Sequence, residues 1–310
     1  MKAQAILYRV VIHGLLAIFI ANAANKFFIA DLEYEAANGF YEKIFAFHGE
    51  APDQYRILPL LGIKTIMSMG GLAFNHAVLL FNLVCSFLLF ELFWQLLSGV
   101  SRQKKYLFNF LYALIFIYLQ YTGWRPDTQG LVLICASLCW WVKGYGREKM
   151  AWVLTALLLG FLALARAEIA LIFAIYLAWY ESKNWLHRAV WVAIPIGIQL
   201  ALQFWIFADA EYYTKPIMLK DNLSLYYFLR NPASYAIAAA VLIRFPQLKK
   251  EISRLWNEVP LLLLLALAYL ALILVVGRIN EYRLYLPFVP LYMLSLHRGR
   301  RENGEKISSI

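Results

Sequence analysis

MAWVLTALLLGFLALARAEIALIFAIYLAWY, residues 150–180, is the stretch on which the fold turns. Apart from Thr155, Gly160, Arg166 and Glu168, every side chain in it is apolar or aromatic. Such a run suits one generous crossing of a ~30 Å hydrocarbon layer, or two short crossings joined at LARAEIA, residues 164–170. The join holds no Gly or Pro. A single helix would bury Arg166 and Glu168 in mid-membrane; a hairpin would place both at its tip. The choice inverts the sidedness of every later loop.

Charge elsewhere in the chain favours the hairpin. With a turn at 166–168, one set of connections is basic: Lys2 to Arg9, Arg102/Lys104/Lys105, Lys143/Arg147/Lys149, Lys183/Arg188, Arg244/Lys249/Lys250/Arg254 and Arg298/Arg300/Arg301/Lys306. The intervening set carries Asp31/Glu33/Glu35, Asp53 to Arg56, Trp124 to Asp127, Arg166/Glu168, Asp209/Glu211 and Arg278/Glu281/Arg283. The first set holds 18 basic and 7 acidic residues, the second 11 and 12. By the positive-inside rule the first set is cytoplasmic and both termini lie inside.

Composition agrees with a bilayer. Of 310 residues 62% are hydrophobic and 15% charged, against ~45–50% and ~25% in soluble domains. The expected fold is all-α: a polytopic integral membrane protein of the cytoplasmic (inner) membrane. About ten spans are expected, near 8–29, 73–97, 106–121, 128–142, 150–165, 168–180, 189–207, 233–244, 259–277 and 284–297. The stretch 57–70, ILPLLGIKTIMSMG, is too short to span and reads as an outer interfacial helix. Residues 1–310 form a single transmembrane domain with outer loops 30–72 and 208–232 and a cytoplasmic tail 298–310. The net charge of +10 lies almost wholly in the cytoplasmic connections, so it reports topology and not nucleic acid. The N-terminal run VVIHGLLAIFI followed by Ala21-Asn22-Ala23 has the outline of a cleaved leader; it is expected to remain as the first span. Cys85, Cys135 and Cys139 lie in apolar runs and read as packing residues.

Chemistry-bearing side chains gather in the outer connections. Asp31 and Glu33 follow the first span, where a carboxylate can take a proton from a hydroxyl or hold a divalent cation. Trp124, Arg125 and Asp127 form a tight outer turn with Pro126. Arg125 can grip phosphate oxygens; Trp124 can stack on a sugar or anchor at the interface, and Asp127 can act chemically or only cap a helix. Arg166 and Glu168 need each other or water in an apolar hairpin, and a plain salt bridge is the competing reading. Arg278, Glu281 and Arg283 crowd another outer connection, with Arg56 near the interfacial helix. Two guanidiniums beside lipid suit a lipid-linked phosphate. No Walker loop, H-E-x-x-H, G-x-S-x-G or paired Cys/His spacing occurs. Of the five histidines only His76, at the head of a span, draws notice.

In order and spacing the layout resembles the GT-C class of polytopic membrane glycosyltransferases. The likeness rests on a first span followed by an acidic outer loop and on YRILPLLGIKTIMSMGGLAFNHAVLLFNLVC, residues 55–85. It ends in EYRLYLPFVPLYMLS, residues 281–295. The tandem acidic motif of many members is split here by Leu32. The resemblance implies transfer of a sugar from a polyprenyl-phosphate donor to a lipid-linked or surface glycan on the outer face. It makes Asp31 or Glu33 the acidic catalytic position and Arg278 or Arg283 the lipid-phosphate contact. Partner subunits of an envelope-glycan pathway would follow. A transporter or flippase for a lipid-linked or anionic solute, and a non-catalytic subunit of an envelope-polysaccharide complex, are the alternatives.

Overall fold

The computed structural model describes residues 2–37, 43, 46, 48, 55–97, 100–120, 134, 148–180, 182, 184–210, 239, 242–276 and 289–290. Among these residues all regular structure is helical: α1 Lys2–Ala37, α2 Ile57–Gly70, α3 Phe74–Leu96, α4 Arg102–Gln120, α5 Glu148–Tyr180, α6 Trp185–Ala201 extended by a π turn Leu202–Ile206, α7 Phe245–Glu258 and α8 Pro260–Val276. By length and composition four of them can cross a membrane, within Gln4–Ala23, Phe74–Leu96, Ala151–Tyr180 and Trp185–Ile206. The bent pair α7–α8 would make a fifth. The expected spans at 128–142, 233–244 and 284–297 fall wholly or mostly outside the described residues. Helices α1–α6 belong to one compact unit; α7 and α8 belong to a second.

α5 answers the question posed by its sequence. Its backbone leaves helical geometry at Arg166, φ −159° and ψ 98°. A straight helix would set Trp152 ~42 Å from Tyr180. Five residues of chain from Tyr180 reach Trp185 over at most ~18 Å, and His187 follows within the first turn of α6. Yet the Trp152 and His187 rings stack at 4.8 Å, and Trp191 Nε1 donates to the Trp152 carbonyl at 3.1 Å. Further along, Gly160 faces Ile194 and Ile198, and Leu164 joins the group around Leu202 and Phe207. The first arm, 148–165, therefore runs alongside α6 in the same direction. Residues 167–187 carry the chain back to the level of Trp152. α5 passes as one span by length, but it is bent back at Arg166, as the charge pattern expects.

The second arm is the most buried helix face of the unit, with Ile169, Ala170, Phe173, Ala174, Tyr176 and Leu177 all enclosed. Its return ends in a compact turn. Arg188 donates from Nε to the Ser182 carbonyl at 2.8 Å, and Asn184 caps α6 by accepting from the Leu186 amide at 2.9 Å. Exposed Trp185 and Trp205 then mark the two ends of α6. Twenty residues at ~1.5 Å separate them by ~30 Å, the thickness of a hydrocarbon core. Aromatic residues at such a spacing suit two membrane interfaces.

Two expectations about the first outer segment change. α1 is helical to Ala37, so Asp31, Glu33 and Glu35 lie on a helix and not in a loop beginning at 30. ADLEYEAA is rich in helix formers and meets no Gly or Pro before Gly39. α2 keeps the expected limits, but it packs into the unit: Pro59, Leu60 and Ile63 are buried. Ile63 contacts the Ala77–Val78 stretch of α3. Gly62 permits this approach, because a Cβ there would meet the Phe81 ring at 2.5 Å. Gly71, at φ +57°, ends α2 in the left-handed conformation that suits glycine.

Candidate functional site

The break in α5 brings Arg166 and Glu168 together. On a continuous helix, residues two apart point about 200° away from each other and do not meet. One extended residue removes that obstacle. Arg166 Nε donates to Glu168 Oε1 at 2.8 Å, and Nη2 donates to the same oxygen. The guanidinium is 8% exposed while the carboxylate side chain is 38% exposed. The pair therefore has a closed side and an open side.

Arg56, immediately before α2, lies close enough for its charge to act on Glu168. Its neighbour Tyr55 is buried, with its ring 6.4 Å from that of Phe207. Tyr55, Leu202 and Phe207 form one apolar group with Ile57, Leu164, Ile198 and Ala210 against it. Residues that the sequence placed in separate outer connections thus meet: the start of α2, the bend of α5 and the end of α6. The charges of two guanidiniums thus act on one carboxylate. Arginine forks of this kind hold phosphate or carboxylate oxygens well.

Arg56, Arg166 and Glu168 are the sequence candidates that the structure brings together. Trp124, Arg125, Asp127, Arg278, Glu281 and Arg283 lie outside the described residues. Asp31 and Glu33 lie near the C-terminal end of α1. Among the described residues no group of three His, Cys, Asp or Glu side chains could hold a metal. His76, the histidine singled out in the sequence, is exposed at the start of α3. Cys85 is a free, half-buried thiol on α3, in keeping with a packing role.

A second polar cluster escaped sequence reading. His13 on α1 is fully buried. Its Nδ1 lies 2.7 Å from Glu91 Oε1 on α3, and Asn109 Nδ2 on α4 lies 2.9 Å from its Nε2. Because the Asn109 amide donates, Nε2 accepts, so Nδ1 carries the proton and donates to Glu91. Arg9, one turn before His13, sets Nε 3.2 Å from Glu91 Oε2. Lys105 Nζ donates to the Trp94 carbonyl at 3.2 Å and sits 4.9 Å from that indole ring. Arg9 lies 5.8 Å from the same ring. The cluster ties α1, α3 and α4 with hydrogen bonds and cation–π contacts inside an apolar surround. Two buried atoms of the cluster, Asn109 Oδ1 and Arg9 Nε, have no hydrogen-bond partner. The available signal was Glu91 within FLLFELFWQL and His13 within VVIHGLLAIFI, each an ionisable residue in a spanning run.

Compared with family models, with curated proteins and with solved structures, the chain matches none.

Proposed function

We propose that the protein is an integral-membrane glycosyltransferase of the GT-C kind. It would pass a sugar from a polyprenyl-phosphate donor to a lipid-linked or surface glycan on the extracytoplasmic face of the inner membrane. In this reading the chain makes about ten crossings with both termini cytoplasmic, and other envelope-glycan proteins supply its acceptor.

The observation that supports the reading is the meeting of Arg56, Arg166 and Glu168 at the bend of α5. Glu168 orients the Arg166 fork, and the positive charge of Arg56 and Arg166 would face the leaving lipid phosphate. Stabilising charge that develops on that group is where such a reaction gains most. Asp31 takes the proton of the acceptor hydroxyl. Arg125, Arg278 and Arg283 add cationic contacts to the donor; Trp124 stacks on its sugar, and Asp127 and Glu281 orient hydroxyls and arginines.

A second reading, a proton-coupled transporter of a lipid-linked or anionic solute, draws support from the buried Arg9–His13–Glu91 cluster. Ionisable groups at membrane depth are the usual mark of ion pathways. Purified protein in lipid nanodiscs, given polyprenyl-phosphate sugar and acceptor, separates the two. The enzyme reading expects glycoside formation by wild type and its loss in Asp31→Asn and Arg166→Lys at undiminished protein level. Absence of transfer with every donor, together with pH-driven solute movement in proteoliposomes, would overturn it in favour of the transporter.

A further inference from the structure

α7, FPQLKKEISRLWNE, has its apolar side chains on one narrow face. At 100° per residue, Phe245, Leu248, Ile252, Leu255 and Trp256 fall within about 100° of arc. None of the helix's residues is buried, and Phe245, Leu248, Ile252 and Trp256 are exposed. At 14 residues the helix is only ~21 Å long, and its other face carries Lys249, Lys250, Glu251, Arg254 and Glu258. It is too short and too polar to cross a bilayer.

The next helix says what covers that face. α8, PLLLLLALAYLALILVV, has no charged residue and follows α7 at 116°. The corner is built in. Val259 is buried and its amide bonds the Leu255 carbonyl at 2.8 Å, while Pro260 opens α8 where no amide donor is needed. With α8 upright in the hydrocarbon, α7 lies within about 30° of the membrane plane. That is the posture of an interfacial amphipathic helix.

Charge names the kind of surface. Arg254 binds Glu251 at 2.5 Å and Glu258 at 2.6 Å, so both acids of the helix are engaged. Hydrogen bonding from Glu251, then Glu258, pushes the Arg254 guanidinium further above its usual range. Arg244, Lys249 and Lys250 then form the basic excess. Lys249 borders the apolar arc, where a lysine can rest its stem on the hydrocarbon and reach a headgroup phosphate.

We infer that α7 lies in the bilayer interface and that its lysines and Arg244 bind anionic lipid headgroups of that leaflet. The inference is independent of the proposed activity. The full-length protein and its Trp256→Phe variant, reconstituted in nanodiscs of bromine-labelled phosphatidylcholine with and without phosphatidylglycerol, report on it. Their difference isolates the fluorescence of Trp256. The inference expects strong quenching by bromine near the headgroups and weak quenching by bromine at mid-bilayer. Phosphatidylglycerol should increase the shallow quenching, and Lys249→Gln/Lys250→Gln should remove that increase while leaving the protein monodisperse. Absence of quenching at any depth, quenching at mid-bilayer only, or indifference to phosphatidylglycerol would each overturn it.

Discussion

The cluster at the bend of α5 and the cluster around His13 are made of the same parts, arginine and a carboxylate, with opposite outcomes. At His13 the protein supplies partners from two other helices, and the imidazole is fully enclosed. At Arg166 the pair is local, two residues apart, and its carboxylate is partly open. Residue type alone does not separate a structural tie from a binding site. What separates the two clusters is exposure, 0% for His13 against 38% for Glu168. Burial makes the first cluster costly to break, and the second keeps its carboxylate partly open.

Glu91→Ala should have the largest effect on stability. It removes the acceptor of the enclosed His13 and the ion-pair partner of the partly exposed Arg9, which costs about 2–3 kcal/mol. Loss of folded protein, read by size-exclusion chromatography and thermal unfolding in detergent, is expected. A variant as stable as wild type would remove the distinction. Asn109→Ala should cost about 1–3 kcal/mol, because His13 Nε2 loses its donor without access to water. Replacing Asn109 and His13 together should cost less than the two single changes combined. Strict additivity of the unfolding free energies would show that the hydrogen bond contributes nothing.

Arg166→Ala should affect stability less than Glu91→Ala, since Glu168 keeps the Arg56 charge nearby and part of its own hydration. Under the proposed function its effect is on transfer. The fold should survive while transfer or binding of a lipid-linked phosphate is lost. Collapse of the protein, on the scale expected for Glu91→Ala, would make Arg166 a structural tie as well.

What the sequence made legible follows from which forces act locally. Charge alternation marked Arg166 as a turn even though LARAEIA contains no helix breaker. The rule reads topology across the whole chain, whereas propensity reads only neighbours. The same habit of reading charges as connections misplaced Asp31 and Glu33, since a helix leaving the bilayer need not stop at its surface. α2 was legible in extent but not in packing, because its burial depends on Gly62 meeting Phe81 of another helix. His13 was passed over for a related reason. Its meaning comes from Glu91, 78 positions away, and no local pattern joins them. α7 was read as a basic connection because the charges drew attention from the apolar stripe between them.

The contrast between a closed and an open cluster depends on α5 turning back at Arg166. Paired spin labels at Val153 and Trp179, both exposed, measure that directly in a background lacking the three native cysteines. A straight α5 would hold these backbone positions ~39 Å apart. The bent element predicts a single distribution well below that, centred under about 30 Å. A sharp distribution near 39 Å, in protein that retains its fold, would contradict the account and return Arg166 and Glu168 to the middle of one long helix.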